Sequence, residues 1–194
     1  CSEIGANSVE LYVTDGSGNS DTTTVTVTVI DTISPLVYTS NVIKYLDANG
    51  QTTITTNDIN NGSTDNCGIQ TVSLNSTQFD CSETGSNSVT LTVTDVNGNS
   101  GSATATVTVL DTILPTVITQ NQTIYLNPAG IATITESDID NGSFDNCTIQ
   151  STTLNITSFS CTEVGANNVW LEVTDVNGNI DSAMATVTVI DTLN

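Results

Sequence analysis

The chain matches itself at a period of 80 residues, and this repeat limits its fold more than any other feature. Cys1, Cys81 and Cys161 are 80 apart, as are Cys67 and Cys147, Pro35 and Pro115, and Asp31, Asp111 and Asp191. Ungapped alignment of residues 33–112 with 113–192 gives about 47 identities in 80 positions, and residues 1–32 match the last 32 of each unit. The chain thus reads as the C-terminal part of a truncated repeat (1–32), two complete repeats (33–112 and 113–192) and the start of another (193–194). The repeat also bears on Cys1. An N-terminal Cys-Ser resembles the lipidated start of a bacterial lipoprotein, but the repeat mates of Cys1 are internal. It is read as the second cysteine of a truncated unit, with its partner expected upstream.

Each repeat reads as β throughout. Val89, Leu91 and Val93 alternate with Thr90, Thr92 and Thr94; after the turn Asp95 to Asn99, Ala103, Ala105, Val107 and Val109 alternate with Thr104, Thr106 and Thr108. Alternation of period two on both sides of an Asn-Gly turn signals a hairpin. Tyr45-Leu46, Ile54, Ile69, Leu74 and Phe79 mark shorter strands, and helical spacing is absent. About seven short strands in 80 residues is the pattern of an Ig-like β-sandwich. The expected fold class is all-β: tandem Ig-like sandwiches in a linear array. A final strand of about ten residues would advance such an array by roughly 34 Å per repeat.

Charge excludes several functions. The chain has 21 acidic residues, one Lys, no Arg and no His, for a net charge of -20. Nucleic-acid binding needs cationic groups that displace counterions from phosphates, so no nucleic-acid partner is expected. No apolar run approaches the ~20 residues of a membrane span, so no membrane insertion is expected. Only 11% of residues are charged, which leaves Thr, Asn and Ser to form the polar surface. Low aromatic content and high net charge also fit disorder, but the regular apolar alternation opposes it. Without His, catalysis would fall to carboxylates or Tyr. Paired carboxylates can hydrolyse glycosides; here they recur with the repeat, which an active site does not require, so no enzyme is expected.

Five Cys without His make a zinc site improbable. Cys67 and Cys81 enclose 13 residues, as do Cys147 and Cys161. The spacing leads us to expect Cys67–Cys81 and Cys147–Cys161 disulfides inside each repeat, each contributing about 3 kcal/mol by the loop-entropy estimate; buried free thiols are the alternative. A disulfide between repeats would contradict self-contained modules. Disulfides imply an extracellular location.

Acidic positions recur at the same period. With strands alternating in direction, the loop holding Asp58 and Asp65, the hairpin turn at Asp95 and the end of the preceding repeat at Asp31 fall at one pole. Asp111, Asp138, Asp145 and Asp175 repeat the pattern. Four carboxylates without basic partners repel one another, and a hard cation bound by 6–8 oxygens relieves this. These eight residues are candidate Ca²⁺ ligands at the junctions between repeats. Ordinary turn chemistry, in which Asp and Asn cap their own backbone, is the other explanation.

The block Val-Thr-Asp-Val-Asn-Gly-Asn, followed by Ala-Thr-Val-Thr-Val-(Leu/Ile)-Asp-Thr-Ile-x-Pro, resembles the HYR-type Ig-like repeats. The segment Asp-Asn-Gly-Ser-x-Asp-Asn-Cys is similar to versions in giant cell-surface adhesins of Bacteroidetes, including those of gliding motility. The resemblance implies structural shaft repeats of a secreted filament used in surface attachment or gliding, exported by type IX secretion. The implied partners are neighbouring repeats of the same chain and, through other regions, surface polysaccharide or motility machinery. Vertebrate HYR modules pair their cysteines differently, so animal adhesion partners do not carry over. The resemblance also implies O-glycosylation at Asp-(Ser/Thr)-apolar tripeptides: Thr32, Thr112, Ser182 and Thr192, with Thr22 a looser match. The alternative is that Asp-Thr merely ends a strand before the Pro-containing linker.

Trp170 falls on the solvent phase of its strand, where the preceding repeat has Thr90. An outward Trp stacks on a sugar or anchors a partner, or it packs against a neighbouring loop. It is the candidate ligand-binding residue if the chain is a carbohydrate- or protein-binding module instead of a strut.

Overall fold

The computed structural model describes residues 1–192, so the expected repeat start at 193–194 lies outside the described residues. In chain order the strands are β1 (Gly5–Thr14), β2 (Ser20–Val29), β3 (Val42–Tyr45), β4 (Gln51–Thr53), β5 (Ile69–Leu74), β6 (Gln78–Asp80), β7 (Gly85–Asp95) and β8 (Ser100–Leu110). They continue as β9 (Gln122–Tyr125), β10 (Ile131–Thr133), β11 (Ile149–Leu154), β12 (Ser158–Ser160), β13 (Gly165–Asp175) and β14 (Ile180–Ile190). The fold is all-β and Ig-like, as the alternation predicts. Two single helical turns interrupt it, α1 (Thr56–Ile59) and α2 (Glu136–Ile139), together with 3-10 turns at Cys81–Glu83 and Cys161–Glu163. Helical periodicity could not reveal elements of three or four residues.

Backbone contacts group the chain into two compact units. One comprises Cys1–Val42, Ile54–Thr77 and Asn87–Val107; the other comprises Ile43–Thr53, Gln78–Ser86 and Thr108–Asn194. These units are offset from the sequence period.

In the second unit, β11, β13, β14 and β9 form one sheet in that order, and β10 pairs with β12. The long hairpin runs in register from Gly165 opposite Val189 to Thr174 opposite Ile180, and β9 joins the free edge of β14 in parallel. Val169, Leu171, Val173, Ala185, Val187 and Val189 line the sheet's inner face, against Ala132 of β10, Phe159 of β12 and Ile139 of α2. Fully burying each large apolar side chain contributes about 1.5–3 kcal/mol, which turns Val/Thr alternation into a one-sided sheet.

The first unit contains the β1–β2 hairpin, in register from Gly5 opposite Val29 to Thr14 opposite Ser20. It also contains β5, paired with β7 from Ile69 opposite Asp95 to Leu74 opposite Leu91. Val89, Leu91, Val93, Val107 and Ile59 are fully buried. Their hairpin counterparts Val9, Leu11, Val13 and Val27 are exposed.

The disulfides correct the expected pairing. Cys1 bonds Cys67 and Cys81 bonds Cys147, each across 66 residues, and Cys161 is free and exposed. Cys67–Cys81 and Cys147–Cys161 do not form. The expectation rested on the 13-residue spacing alone, but β6 pairs with β4 and not with β5. The chain therefore runs on past β5 instead of doubling back. Cys67 stands beside the Asp95 end of β7, and Cys81 immediately precedes its Gly85 end. Ten strand residues, about 33 Å, separate those ends, far beyond the ~7 Å Cα limit for a disulfide. Each bridge instead ties one sequence repeat to the next, so the repeats are not self-contained modules. Cys1 finds its partner downstream, not upstream.

Candidate metal centre

The first compact unit gathers three of its four expected aspartates, and the second brings Asp111 and Asp145 together beside Cys147. In the first, carboxylate oxygens of Asp31, Asp65 and Asp95 lie within 4.8 Å of one another. Asp95 ends β7 and is 0% exposed. Its Oδ1 accepts from the N–H groups of Asn97 and Asn99, both at 2.8 Å, and its Oδ2 accepts from Asn99 Nδ2 at 2.8 Å. The same Asn99 amide donates to Asp31 O at 3.3 Å, joining the hairpin turn to the segment after β2. Asp65 Oδ2 accepts from Cys67 N at 2.7 Å and Gly68 N at 3.0 Å. Asp31 Oδ1 accepts from Ile33 N at 3.1 Å. Asp31 Oδ2 and Asp65 Oδ1 are buried with no hydrogen-bond partner.

The second unit repeats this arrangement atom for atom at the two orphaned oxygens. Asp175, 0% exposed, accepts from Asn177 N and Asn179 N at 2.8 Å and from Asn179 Nδ2 at 2.7 Å. Asn179 Nδ2 also donates to Asp111 O at 3.4 Å. Asp145 Oδ2 accepts from Cys147 N at 2.9 Å. Asp111 Oδ1 accepts from Ile113 N and from Asn146 Nδ2, both at 3.2 Å. Asp111 Oδ2, Asp145 Oδ1 and Asn146 Oδ1 are buried and unpaired, and Asp111 is only 8% exposed. Carboxylate oxygens of Asp111 and Asp145 lie within 4.8 Å of each other and of Cys147 Sγ.

Electrostatics make this arrangement unfavourable alone. Burial pushes the Asp145 carboxyl up, the charges of Asp175 and Asp111 push it further, and the Cys147 N–H only partly offsets them. Two carboxylates ~4.8 Å apart repel by about 3.5 kcal/mol at an effective dielectric near 20. An unsatisfied buried polar atom costs about 1–3 kcal/mol, more when charged. The donors are oxygen throughout, and the nearby sulfur is committed to a disulfide. That set fits a hard divalent cation such as Ca²⁺.

Asp58 and Asp138 lie outside these groups. Asp58 Oδ2 accepts from Thr55 N at 2.7 Å and Thr55 Oγ1 at 2.8 Å. Asp138 Oδ2 accepts from Thr135 N at 2.7 Å and Thr135 Oγ1 at 2.9 Å. Both close the capping box of a one-turn helix. The Thr-x-x-Asp signature of that box was present in the sequence. The roles of Asn99 and Asn179 were also missed. Each follows Asp by four residues in a two-strand turn, and only the folded turn shows its amide reaching the preceding repeat.

Among the other expected sites, Thr22, Thr32, Thr112, Ser182 and Thr192 are exposed. Trp170 is 47% exposed, opposite Met184 on β14, and its backbone N–H donates to Asn155 Oδ1 at 2.8 Å. It shares an open depression with Thr153, Asn155, Glu172 and Ser182.

No protein-family model and no curated protein sequence matches the chain. Among solved structures it is similar to arrays of extracellular cadherin domains. Protocadherin gamma B7 domains 1–4 matches with 12% identity and a TM-score of 0.38, over 98% of this chain and 59% of that one. PcdhgB3 EC1-4 gives 12% and 0.37, over 97% and 58%. Human mucin-like protocadherin EC1-2 gives 12% and 0.41, over 81% and 98%. The chain thus spans about three fifths of the length of the first two. At such scores nothing about ligand or partner transfers.

Proposed function

We propose that the chain is part of the structural shaft of a secreted cell-surface adhesin filament, whose successive repeats are joined by bound Ca²⁺ and by disulfides. The observation that carries this reading is the recurrence of the same orphaned oxygens, Asp31 Oδ2 with Asp65 Oδ1 and Asp111 Oδ2 with Asp145 Oδ1. In each site one aspartate comes from the preceding sequence repeat and two from the following one, so a cation there bridges consecutive repeats. Asp31, Asp65 and Asp95 hold one ion; Asp111, Asp145 and Asp175 contribute to the other. The disulfides likewise link consecutive repeats and favour an extracellular location.

Resemblance to giant Bacteroidetes adhesins supports the finer reading: attachment or gliding motility, type IX export, repeats 33–112 and 113–192 in a linear array, and O-glycans on the exposed Thr32, Thr112, Ser182, Thr192 and Thr22. A second reading, direct binding of carbohydrate or protein, rests on the exposed Trp170 and the polar side chains around its depression.

Calorimetric titration with CaCl₂ tests the first reading. Two bound ions per chain and a chelator-sensitive melting temperature are expected. Absence of binding at millimolar Ca²⁺ would reduce the aspartates to turn residues and remove the cation from the joint.

A further inference from the structure

The second acidic group and the Cys81–Cys147 disulfide are built from one continuous tripeptide, Asp145-Asn146-Cys147. Cys147 N donates to Asp145 Oδ2 at 2.9 Å, so the seat of Cys147 sets where the unpaired Asp145 Oδ1 points. Asn146 Nδ2 donates to Asp111 Oδ1 at 3.2 Å and to Asp47 O at 3.3 Å. The neighbouring turn leaves no slack: a Cβ on Gly50, at φ +71°, would lie 2.8 Å from Asn146 O and collide with Cys81 Sγ. Cys147 Sγ itself lies within 4.8 Å of the Asp111 and Asp145 oxygens. The disulfide, the Asn146 clamp and the bare Gly50 backbone together seat the loop that aims Asp145 at Asp111.

We infer that the disulfide and the cation at this site are thermodynamically linked: the bridge raises cation affinity, and the bound cation protects the bridge from reduction. This rests on the cation reading proposed above. A dithiol reductant breaks the S–S bond by passing two electrons and two protons to Cys81 and Cys147, and is itself oxidised to a disulfide. The freed loop must then be ordered when the ion binds, so affinity falls. Linkage is reciprocal, and the factor by which reduction weakens the ion is the factor by which the ion disfavours reduction. A tenfold factor corresponds to a midpoint about 30 mV more negative for this two-electron couple.

The test uses the whole 194-residue chain, with the Asp31–Asp65–Asp95 site as internal control. CaCl₂ titrations compare the oxidised chain with the Cys81→Ser/Cys147→Ser double variant. The expected result is that the variant keeps one site unchanged and binds the other at least tenfold more weakly. Equal affinities in both proteins would overturn the linkage while leaving the cation site intact. No binding by the oxidised chain would overturn the site itself, and the linkage with it. Should the variant not fold, the wild-type chain is equilibrated in dithiol redox buffers with and without Ca²⁺. Reduced Cys81 and Cys147 are then counted by alkylation and mass spectrometry. A midpoint about 30 mV or more lower with Ca²⁺ supports the linkage; coincident midpoints in a chain that binds Ca²⁺ refute it.

Discussion

Asn179 donates one side-chain amide to two acceptors, Asp175 Oδ2 at 2.7 Å and Asp111 O at 3.4 Å. The first bond satisfies a buried carboxylate, and the second ties the hairpin turn to the segment that carries Asp111. Asn179→Ala removes both and leaves Asp175 Oδ2 buried without its donor. The expected loss is about 1–3 kcal/mol of stability, read by urea denaturation, together with weaker Ca²⁺ binding at the second site only. An Asn179→Ala chain as stable as wild type would show that the turn does not depend on this amide.

Asp58 and Asp138 separate capping from ligation. Each accepts two hydrogen bonds from the Thr three residues before it. Asp138→Ala should lower stability by about 1 kcal/mol, the usual value of a cap, with Ca²⁺ affinity unchanged. Asp145→Ala should do the reverse in Ca²⁺: affinity at the second site collapses. Paired titrations and melts of the two variants check this, and a loss of affinity in Asp138→Ala would return that residue to the site.

Residue pattern alone carried the hairpins. Val89/Leu91/Val93 and Val169/Leu171/Val173 are fully buried, as period two requires, and Gly98 turns its hairpin at φ +93°. Recurrence at 80 residues also placed Asp31, Asp65 and Asp95 at one pole, because strand direction follows from strand count. Side-chain direction does not follow from it, and so Asp58 was grouped with residues from which its capping box turns it away. The cysteines failed for a related reason. A spacing of 13 residues says nothing of strand pairing, and only the pairing partners of β5 and β6 show that the chain changes sheets between them.

Peptide mapping distinguishes the two connectivities directly. Under non-reducing conditions the oxidised chain should yield linked peptides containing Cys1 with Cys67 and Cys81 with Cys147. Cys161, exposed and free, should alkylate without reductant. Recovery of Cys67 with Cys81 would restore the within-repeat staple and detach the acidic loops from the preceding repeats.

The Asp145 carboxyl gives the cation-free chain a pH signature. Burial, and then the charges of Asp175 and Asp111, raise it, so the folded chain holds that proton more tightly than the unfolded one. Its ionisation therefore subtracts stability. The penalty is absent below the unfolded value near ~4, grows as pH rises through the raised native value, and is complete above it. Asp95 has the opposite sign. Burial pushes it up, but the Asn99 side chain and the Asn99 and Asn97 N–H groups more than offset this and hold it low. The stability it contributes is present above the unfolded value and is lost as pH falls. Comparison with Asp145→Asn isolates the first contribution. In Ca²⁺-free buffer at pH 7 the variant should melt higher than wild type, by about 2–4 °C for each kcal/mol of penalty removed, and the gap should close near pH 3.5. Millimolar CaCl₂ should reverse the order at pH 7, because the ion then uses the charge that Asn lacks. Parallel melting curves at every pH, with and without Ca²⁺, would mean that Asp145 neither suffers from its neighbours nor shares an ion with them.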